Sequence, residues 1–429
     1  MSDDIKAVIL AAGKGTRMKS ETTPKVLHKI MGKTLLGYVL DNVKNITTSQ
    51  YVIVGHMAEE VEKFVDENYA KAHTVLQSPQ LGTGHAVSMI CPELDKYDGL
   101  VLVLCGDTPL IREKTLKDFI KFHKAQKSDL TVMSTIFDDP KSYGRIVREK
   151  DNSLKCIVEE KDATAEQKEI KEVNAGIYCF DWKKFRASFG ELKSNNSQGE
   201  YYLTDIIAWG KSRKLKLNAY VLENSDEIYG INSRQHLAMA TKMMNIRNLE
   251  KYMENGVTIV DPVSTWISED TQIGQDTIIY PATYIEGKNK IGKNCQIGPC
   301  AHLRGDVEIA DNIKIGNFVE VKKSKINSNT NVGHLTYIGD SELGERVNIG
   351  AGTITANFNA ITGKKSKTQI KDDVKIGSNT VLVAPVKINE GANVGAGSVI
   401  TKEVPAWSLA ITRSPLKVLA DWVGKKKKN

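Results

Sequence analysis

From Ile267 onward an aliphatic residue recurs at every sixth position: Ile267, Ile273, Ile279, Ile285, Ile291, Ile297, Leu303, Ile309, Ile315 and Val321. The register slips by one to give Ile326, Val332 and Ile338, slips again to Leu343 and Ile349, and resumes as Ile370, Ile376, Leu382, Ile388, Val394 and Ile400. A helix repeats its apolar side about every 3.6 residues and a half-buried strand about every 2, so neither accounts for this period. A left-handed parallel β-helix does: three short flat strands make one triangular turn, and each sixth side chain points into the shaft. Glycine commonly follows the aliphatic residue, as in Ile273-Gly274, Ile291-Gly292, Ile297-Gly298, Ile315-Gly316, Ile349-Gly350 and Ile376-Gly377. Tight corners with positive φ are the expected reason. The interval between Ile354 and Ile370 breaks the period with Asn357, Asn359, Gly363 and the cluster Lys364, Lys365 and Lys367, which predicts an inserted loop on a binding face.

The front half has another rhythm. Short aliphatic runs, KAVILAA from Lys6, YVIVG from Tyr51 and LVLVLCGD from Leu100, alternate with amphipathic stretches. That alternation predicts an α/β nucleotide-binding domain, Rossmann-like, with a mostly parallel sheet under covering helices. Ligands of such sheets bind at the carboxyl ends of strands, so chemistry is expected just after each run. Farther on, Leu237, Ala240, Met244, Leu249 and Met253 stand at helical spacing between a capping Ser233 and Gly256, which predicts a connecting helix. The expected organisation is a front domain over 1–230, a linker helix over 231–255, and a β-helix with a basic tail over 256–429.

A chain of 429 residues exceeds what one hydrophobic core usually organises, in keeping with two domains. No apolar run approaches the roughly 20 residues that cross a bilayer, and the start, MSDDIKAVIL, is acidic where a secretory signal is basic. A cytoplasmic protein without membrane insertion is expected. Cys91, Cys105, Cys156, Cys179, Cys295 and Cys300 contain no CxxC pair, which favours reduced thiols over a disulfide frame or a zinc site. Part of the +7 net charge comes from Lys425 to Lys428. No stacking aromatics are interleaved with these lysines, so they predict a solvated tail and no nucleic-acid partner.

The segment from Leu10 through Ala11, Ala12, Gly13, Lys14, Gly15, Thr16 and Arg17 to Met18 follows the first strand directly. Its glycines would let backbone N–H groups approach phosphate oxygens. It lacks the Gly-Lys-Ser/Thr of a Walker loop and the third glycine of a dinucleotide fingerprint, which weakens ATPase and NAD readings. With Pro24-Lys25-Val26-Leu27 it resembles the signature of sugar-nucleotide pyrophosphorylases. The resemblance implies that Leu10, Ala11, Ala12 and Gly13 line the nucleotide and that Gln77, Gly82 and Thr83 of QSPQLGT read uracil. It further implies that Asp107, after Cys105 and Gly106, binds Mg²⁺ together with Asn232, and that Gly144, Glu159 and Asn174 contact the sugar. A triphosphate attacked at its α-phosphorus by a sugar phosphate gathers negative charge. Arg17, Lys25 and the metal ion would neutralise it, and no covalent nucleophile is needed.

In the rear half, His302-Leu303-Arg304, Asn317 to Lys323, Gly333 to Asp340 and Val347 to Thr353 resemble the acetyltransferase half of a known family. Its members fuse an N-acetylglucosamine-1-phosphate uridylyltransferase to a glucosamine-1-phosphate N-acetyltransferase, and supply UDP-N-acetylglucosamine for peptidoglycan and lipopolysaccharide synthesis. Amide formation needs a neutral amine; His334 is the expected base, as an imidazole suits proton transfer near neutral pH, and Glu320 is expected to orient it. By the resemblance, Arg304, Lys322, Tyr337, Asn348 and Lys365 hold glucosamine-1-phosphate. Ala351, Asn357, Phe358, Ser378, Ala396 and Arg413 fall where the family contacts acetyl-CoA. The chain departs from the family at Gly305-Asp306, commonly proline and glycine, and at Phe358, usually tyrosine. The resemblance thus implies two steps: acetylation of glucosamine-1-phosphate by acetyl-CoA, then coupling of N-acetylglucosamine-1-phosphate to UTP with release of pyrophosphate. It also implies a homotrimer whose rear sites borrow residues from more than one subunit. Two readings compete: a β-helix that merely assembles a single-activity pyrophosphorylase, and a non-catalytic assembly subunit with a degenerate nucleotide fold, against which the intact LAAGKGTRM and Asp107 argue.

Overall fold

A computed structural model of the chain describes residues 4–412 and 414–423; Arg413 and the terminal lysine run lie outside the described residues. The chain divides into two compact units between Met244 and Asn245.

The first unit is organised by one sheet whose main path runs Ala72–Leu76, Ser49–Val54, Ile5–Leu10, Leu100–Cys105, Glu172–Asp181, Leu130–Ile136 and Leu217–Leu222. The first four strands are parallel, while Glu172–Asp181 runs antiparallel to both neighbours. Strands covered on both faces read as continuous apolar runs, and IKAVIL and LVLVLC are buried through most of their length. Helices Ala58–Asn68 and Glu113–Ala125 turn Val61, Val65, Leu116 and Phe119 into the core that holds Ile9 and Leu102. From Ile5–Leu10 the chain moves to one side for Ser49–Val54 and to the other for Leu100–Cys105. The carboxyl ends of Ile5–Leu10 and Leu100–Cys105 therefore flank the point where strand order reverses, the ligand crevice of open α/β sheets.

Among the described residues the second unit has three parallel sheets of nine, eight and seven strands, and up to Val399–Ile400 successive strands go to successive sheets. Each set of three closes one turn of a triangular prism, consistent with a left-handed β-helix. The sixth-position residues fill its shaft: all from Ile267 to Ile400 are buried except Ile273, which is partly so. Gln296 pairs with Lys314, eighteen positions on, but Lys314 pairs with Asn331 and Asn331 with Asn348, each seventeen on. The two slips in the sequence are thus two coils shortened by one residue. Asn348 then pairs with Lys375, twenty-seven on; the extra chain is looped out and pinned by a bridge between Phe358 and Lys365.

The glycines after the shaft residues have a different cause from the one expected. Gly274, Gly292, Gly316, Gly350 and Gly377 do not have positive φ; of the six pairs named, only Gly298 does. A Cβ on Gly316 would lie 1.8 Å from the carbonyl oxygen of Gly333, and one on Gly377 would lie 2.4 Å from the nitrogen of Ala396. Coils stack too closely there to admit a side chain. Left-handed corners go instead to Asp276, Asn294, Asn312 and Asn329, residue types that tolerate that region. Gly305 and Asp306 both have positive φ, 63° and 53°, so a proline at 305 could not adopt this chain's corner.

Helix Arg234–Glu254 spans the division. Ala240 and Met244 pack with Met18, Ile30 and Leu35 of the first unit. Beyond the division, the Asn245 side chain donates to the Thr265 carbonyl at 2.7 Å and accepts from Ile267 N–H at 3.3 Å, while Leu249 joins the shaft core. Among the described residues no helix is long and apolar enough to cross a membrane.

Candidate active sites

Leu10 pairs with Cys105, so the loops that follow these strands start side by side, and the Gly106 N–H donates to the Leu10 carbonyl at 2.9 Å. Ala11 and Ala12 are buried, whereas Gly13, Lys14 and Arg17 are exposed. Gly15 has φ 57°, and a Cβ there would come within 2.8 Å of the Lys25 Cβ, so both backbone angle and close approach require glycine. The Asp107 carbonyl accepts from Ile231 N–H at 3.0 Å, which brings Asn232 alongside. The Lys25 ammonium donates to the Asp107 carboxylate and, at 3.2 Å, to Asn232 Oδ1. Lys25 and Asp107 are each 15% exposed, so the pair is shielded from most solvent screening. Burial, reinforced by the Asp107 charge, pushes the Cys105 thiol up to about 12, leaving it neutral.

A second group forms where Glu172–Asp181 shifts register between Asn174 and Tyr178. The irregularity turns Asn174 so that its Oδ1 accepts from Gly176 N–H at 2.9 Å and its Nδ2 donates to Tyr178 Oη at 2.7 Å. The Asn174 N–H donates to the Gly144 carbonyl at 2.9 Å, and a Cβ on Gly144 would lie 3.4 Å from the Glu159 carboxylate oxygens. Gly144, Glu159 and Asn174 are therefore neighbours. Burial raises the Glu159 carboxyl above its ordinary range, opposed in part by the Thr204 hydroxyl donating at 3.4 Å. Buried Gln77 donates from Nε2 to the Gly82 carbonyl at 2.9 Å and pairs with His85 Nδ1 at 3.1 Å. Thr83 Oγ1 accepts from Leu203 N–H at 3.1 Å.

In the second unit Asn317, His334, Ala351, Ser378 and Ala396 each lie two positions after a shaft residue, and they stack at one corner of the prism. Backbone bonds record the stacking: Leu335 N–H donates to Asn317 O at 3.1 Å, Gly352 N–H to His334 O at 3.4 Å, Asn379 N–H to Ala351 O at 2.7 Å and Gly397 N–H to Ser378 O at 2.8 Å. At about 4.8 Å per coil, the small side chains of Ala351, Ser378 and Ala396 form a track of roughly 14 Å that continues the column from the imidazole. His334 is exposed, and its Nδ1 hydrogen-bonds Asn317 Oδ1. Glu320 does not orient this ring within the chain: its carboxylate accepts from Arg304 at 2.7 Å. The reason is register, since Asn317 stands opposite His334 in its ladder whereas Glu320 stands opposite Tyr337 in another sheet. Asn317 was not among the expected site residues; counting back one seventeen-residue coil from His334 finds it.

Arg304 and Lys322 are neighbours in the same ladder, flanking the Leu303 and Val321 pair, and Tyr337 lies on that face beside Glu320. Asn348 belongs to the adjacent sheet, where Asn331 Nδ2 donates to its Oδ1 at 3.2 Å. Lys365 is exposed on the inserted loop. The buried Asn357 side chain donates to Asp340 and lies 3.5 Å from Tyr337 Oη, while Phe358 is exposed. Within one chain, then, the residues expected to hold the sugar phosphate are spread over two faces and a loop, with His334 at the corner between the faces.

Residues 6–227 match the nucleotidyl transferase family, and residues 290–323 and 367–402 match bacterial transferase hexapeptide repeats. The chain is 44% identical to the bifunctional protein GlmU of Alkaliphilus metalliredigens and to that of Acetivibrio thermocellus, over 98% of this chain and 98% of each relative. It is 42% identical to the bifunctional protein GlmU of Clostridium novyi over the same shares.

Proposed function

The chain belongs to the bifunctional GlmU family, and from that premise we infer that its acetyltransferase and uridylyltransferase activities are carried by the two constellations described above. The rear unit acetylates glucosamine-1-phosphate; the front unit joins the resulting N-acetylglucosamine-1-phosphate to UMP from UTP. The observation that supports this most is the coincidence on one chain of a Lys25, Asp107 and Asn232 cluster at the strand ends and an imidazole at the head of a small-residue track.

In the rear reaction the Asn317 amide oxygen accepts from His334 Nδ1–H, leaving Nε2 as the free base. It takes the proton as the sugar amine forms its bond to the thioester carbonyl carbon; the C–S bond breaks and the thiolate leaves protonated. The track along Ala351, Ser378 and Ala396 admits the extended arm of acetyl-CoA, with Asn357 and Phe358 as further contacts. Arg304 and Lys322, with Tyr337, Asn348 and Lys365, bind the sugar phosphate through charge-assisted hydrogen bonds.

In the front reaction a sugar phosphate oxygen attacks the α-phosphorus of UTP and pyrophosphate leaves. Arg17 and Lys25 offset the charge, Leu10 to Gly13 and Gly106 border the phosphates, Gln77, Gly82 and Thr83 border the base, and Gly144, Glu159 and Asn174 hold the sugar. Among the described residues no three His, Cys, Asp or Glu side chains gather to hold a metal. Asp107 and Asn232 nevertheless fit Mg²⁺: one carboxylate and one amide oxygen, already hosting an ammonium, suit an ion that takes its other ligands from phosphates and water. An Mg²⁺ ion held by Asp107 and Asn232 would supply charge neutralisation for the reacting phosphates.

A homotrimer is supported by one corner of the prism. Ala282, Cys300, Phe318 and Leu335 all have φ between 50° and 56°, where an L-residue costs roughly 1–2 kcal/mol. Phe318 and Leu335 are 59% and 60% exposed. Coverage by a second copy offsets both costs and joins residues that one chain leaves on separate faces. Six free cysteines support a reducing, cytoplasmic setting. The reading is tested by supplying glucosamine-1-phosphate, acetyl-CoA, UTP and Mg²⁺ to the purified chain and weighing the products. UDP-N-acetylglucosamine is expected; pyrophosphate formation without any acetyl transfer would return the β-helix to an assembly role.

A further inference from the structure

The place read above as the front metal position is already filled by a cation of the protein's own. The Lys25 ammonium bridges the Asp107 carboxylate and Asn232 Oδ1, and it is held there from several sides. Gly15 leaves room for the Lys25 stem, and the Asp107 carbonyl binds Ile231 N–H, which ties the Asn232 segment to the strand end. A monovalent ammonium and a divalent ion cannot share these two oxygens, because like charges at contact in a part-buried site repel strongly. Without the ammonium, Asp107 would be a shielded carboxylate lacking a counter-ion, which is costly.

Resting on the reading of Asp107 and Asn232 as metal ligands, we propose that Lys25 is a resident plug that keeps divalent ions out of the nucleotide-free site. It is withdrawn when the triphosphate offers its ammonium a richer anion. One side chain then has two stations: between Asp107 and Asn232 before the nucleotide arrives, and on the phosphates afterwards. The consequence is order. Metal enters with the nucleotide or after it, and free divalent ion binds the empty chain weakly.

The test is Mn²⁺ binding to the full-length chain without nucleotide, followed by titration calorimetry and by the loss of the free-ion electron spin resonance signal. Lys25→Met should bind Mn²⁺ roughly tenfold to hundredfold more tightly than the natural chain, the scale of the charge-assisted hydrogen bonds the ion otherwise has to break. Lys25→Gln provides a second variant, with thermal unfolding to establish that each is folded. Equal or weaker Mn²⁺ binding in both folded variants would overturn the plug while leaving the metal reading standing. Adding Asp107→Asn to Lys25→Met should abolish the gain. Tight binding that survives this second change would instead overturn the assignment of the metal to Asp107.

Discussion

Lys25, Asp107 and Asn232 meet although the first and last are 207 positions apart, whereas Asn317, His334, Ala351, Ser378 and Ala396 are aligned by coil length alone. The front site is assembled by crossovers of a sheet, and each residue arrives on a different connection. The rear column is assembled by repetition, so a residue's place can be counted. The two share one device: in each region one cation expected to meet phosphate is paired within the chain, Lys25 with Asp107 and Arg304 with Glu320. Self-pairing of this kind keeps isolated charge low before substrate arrives. Its strength differs, because Arg304 and Glu320 are well exposed and water screens them.

If the two regions work separately, changes in one should spare the other. His334→Ala is expected to lower acetyl transfer by roughly 10²–10⁴-fold, the usual range for loss of a positioned base. Pyrophosphate release should stay unchanged; coenzyme A thiol release and pyrophosphate release, measured on the same preparation, report the two. Asp107→Asn should do the reverse, with uridylyl transfer down about 10²–10³-fold and acetyl transfer intact. Parallel loss of both activities in either variant would mean that the regions are coupled.

Glycine sharpens the contrast in stability. Gly316→Ala forces a Cβ onto the next coil's backbone, 1.8 Å from the Gly333 oxygen, and should destabilise the second unit by about 1–3 kcal/mol. Gly13→Ala meets nothing within 4 Å and should leave the denaturant midpoint where it is. Equal midpoints for the two variants would refute the stacking explanation.

The smallest effect expected is at Glu159. Its carboxyl is raised above the ordinary range by burial, so the folded chain favours the protonated form. Its contribution to stability is full at low pH and is lost as pH rises through the raised value. Glu159→Gln should therefore gain stability relative to the natural chain on going from acidic to mildly alkaline pH, while its KM for N-acetylglucosamine-1-phosphate rises about tenfold. A pH-independent stability difference would contradict the assigned cause.

Much of this contrast was legible beforehand, for physical reasons that differ by region. The sixfold period named the shaft residues one by one, because burial in a solenoid follows position. The two slips lie where the coils are one residue short, and the break after Ile354 foretold the loop. The strand-end rule located the Leu10 and Asp107 segments, but only resemblance linked them to Asn232, since no local pattern encodes a contact across a sheet. What escaped was detail set by neighbours in space. Asn317 rather than Glu320 meets His334, the shaft glycines answer to the next coil's backbone, and Lys25 rests on Asp107. Residues 1–230 also stop short of Asn232 and of the packing of Ala240 and Met244 on the front core; a fragment meant to keep uridylyl transfer should extend through Met244.

The central claim is that one chain supplies the residues of two separable sites joined by a free intermediate. It is tested most directly by mixing His334→Ala protein with Asp107→Asn protein, each unable to make UDP-N-acetylglucosamine from glucosamine-1-phosphate, acetyl-CoA, UTP and Mg²⁺. The mixture should form that product, with N-acetylglucosamine-1-phosphate appearing first in solution. A mixture that stays inactive while each variant keeps its remaining activity would contradict the account.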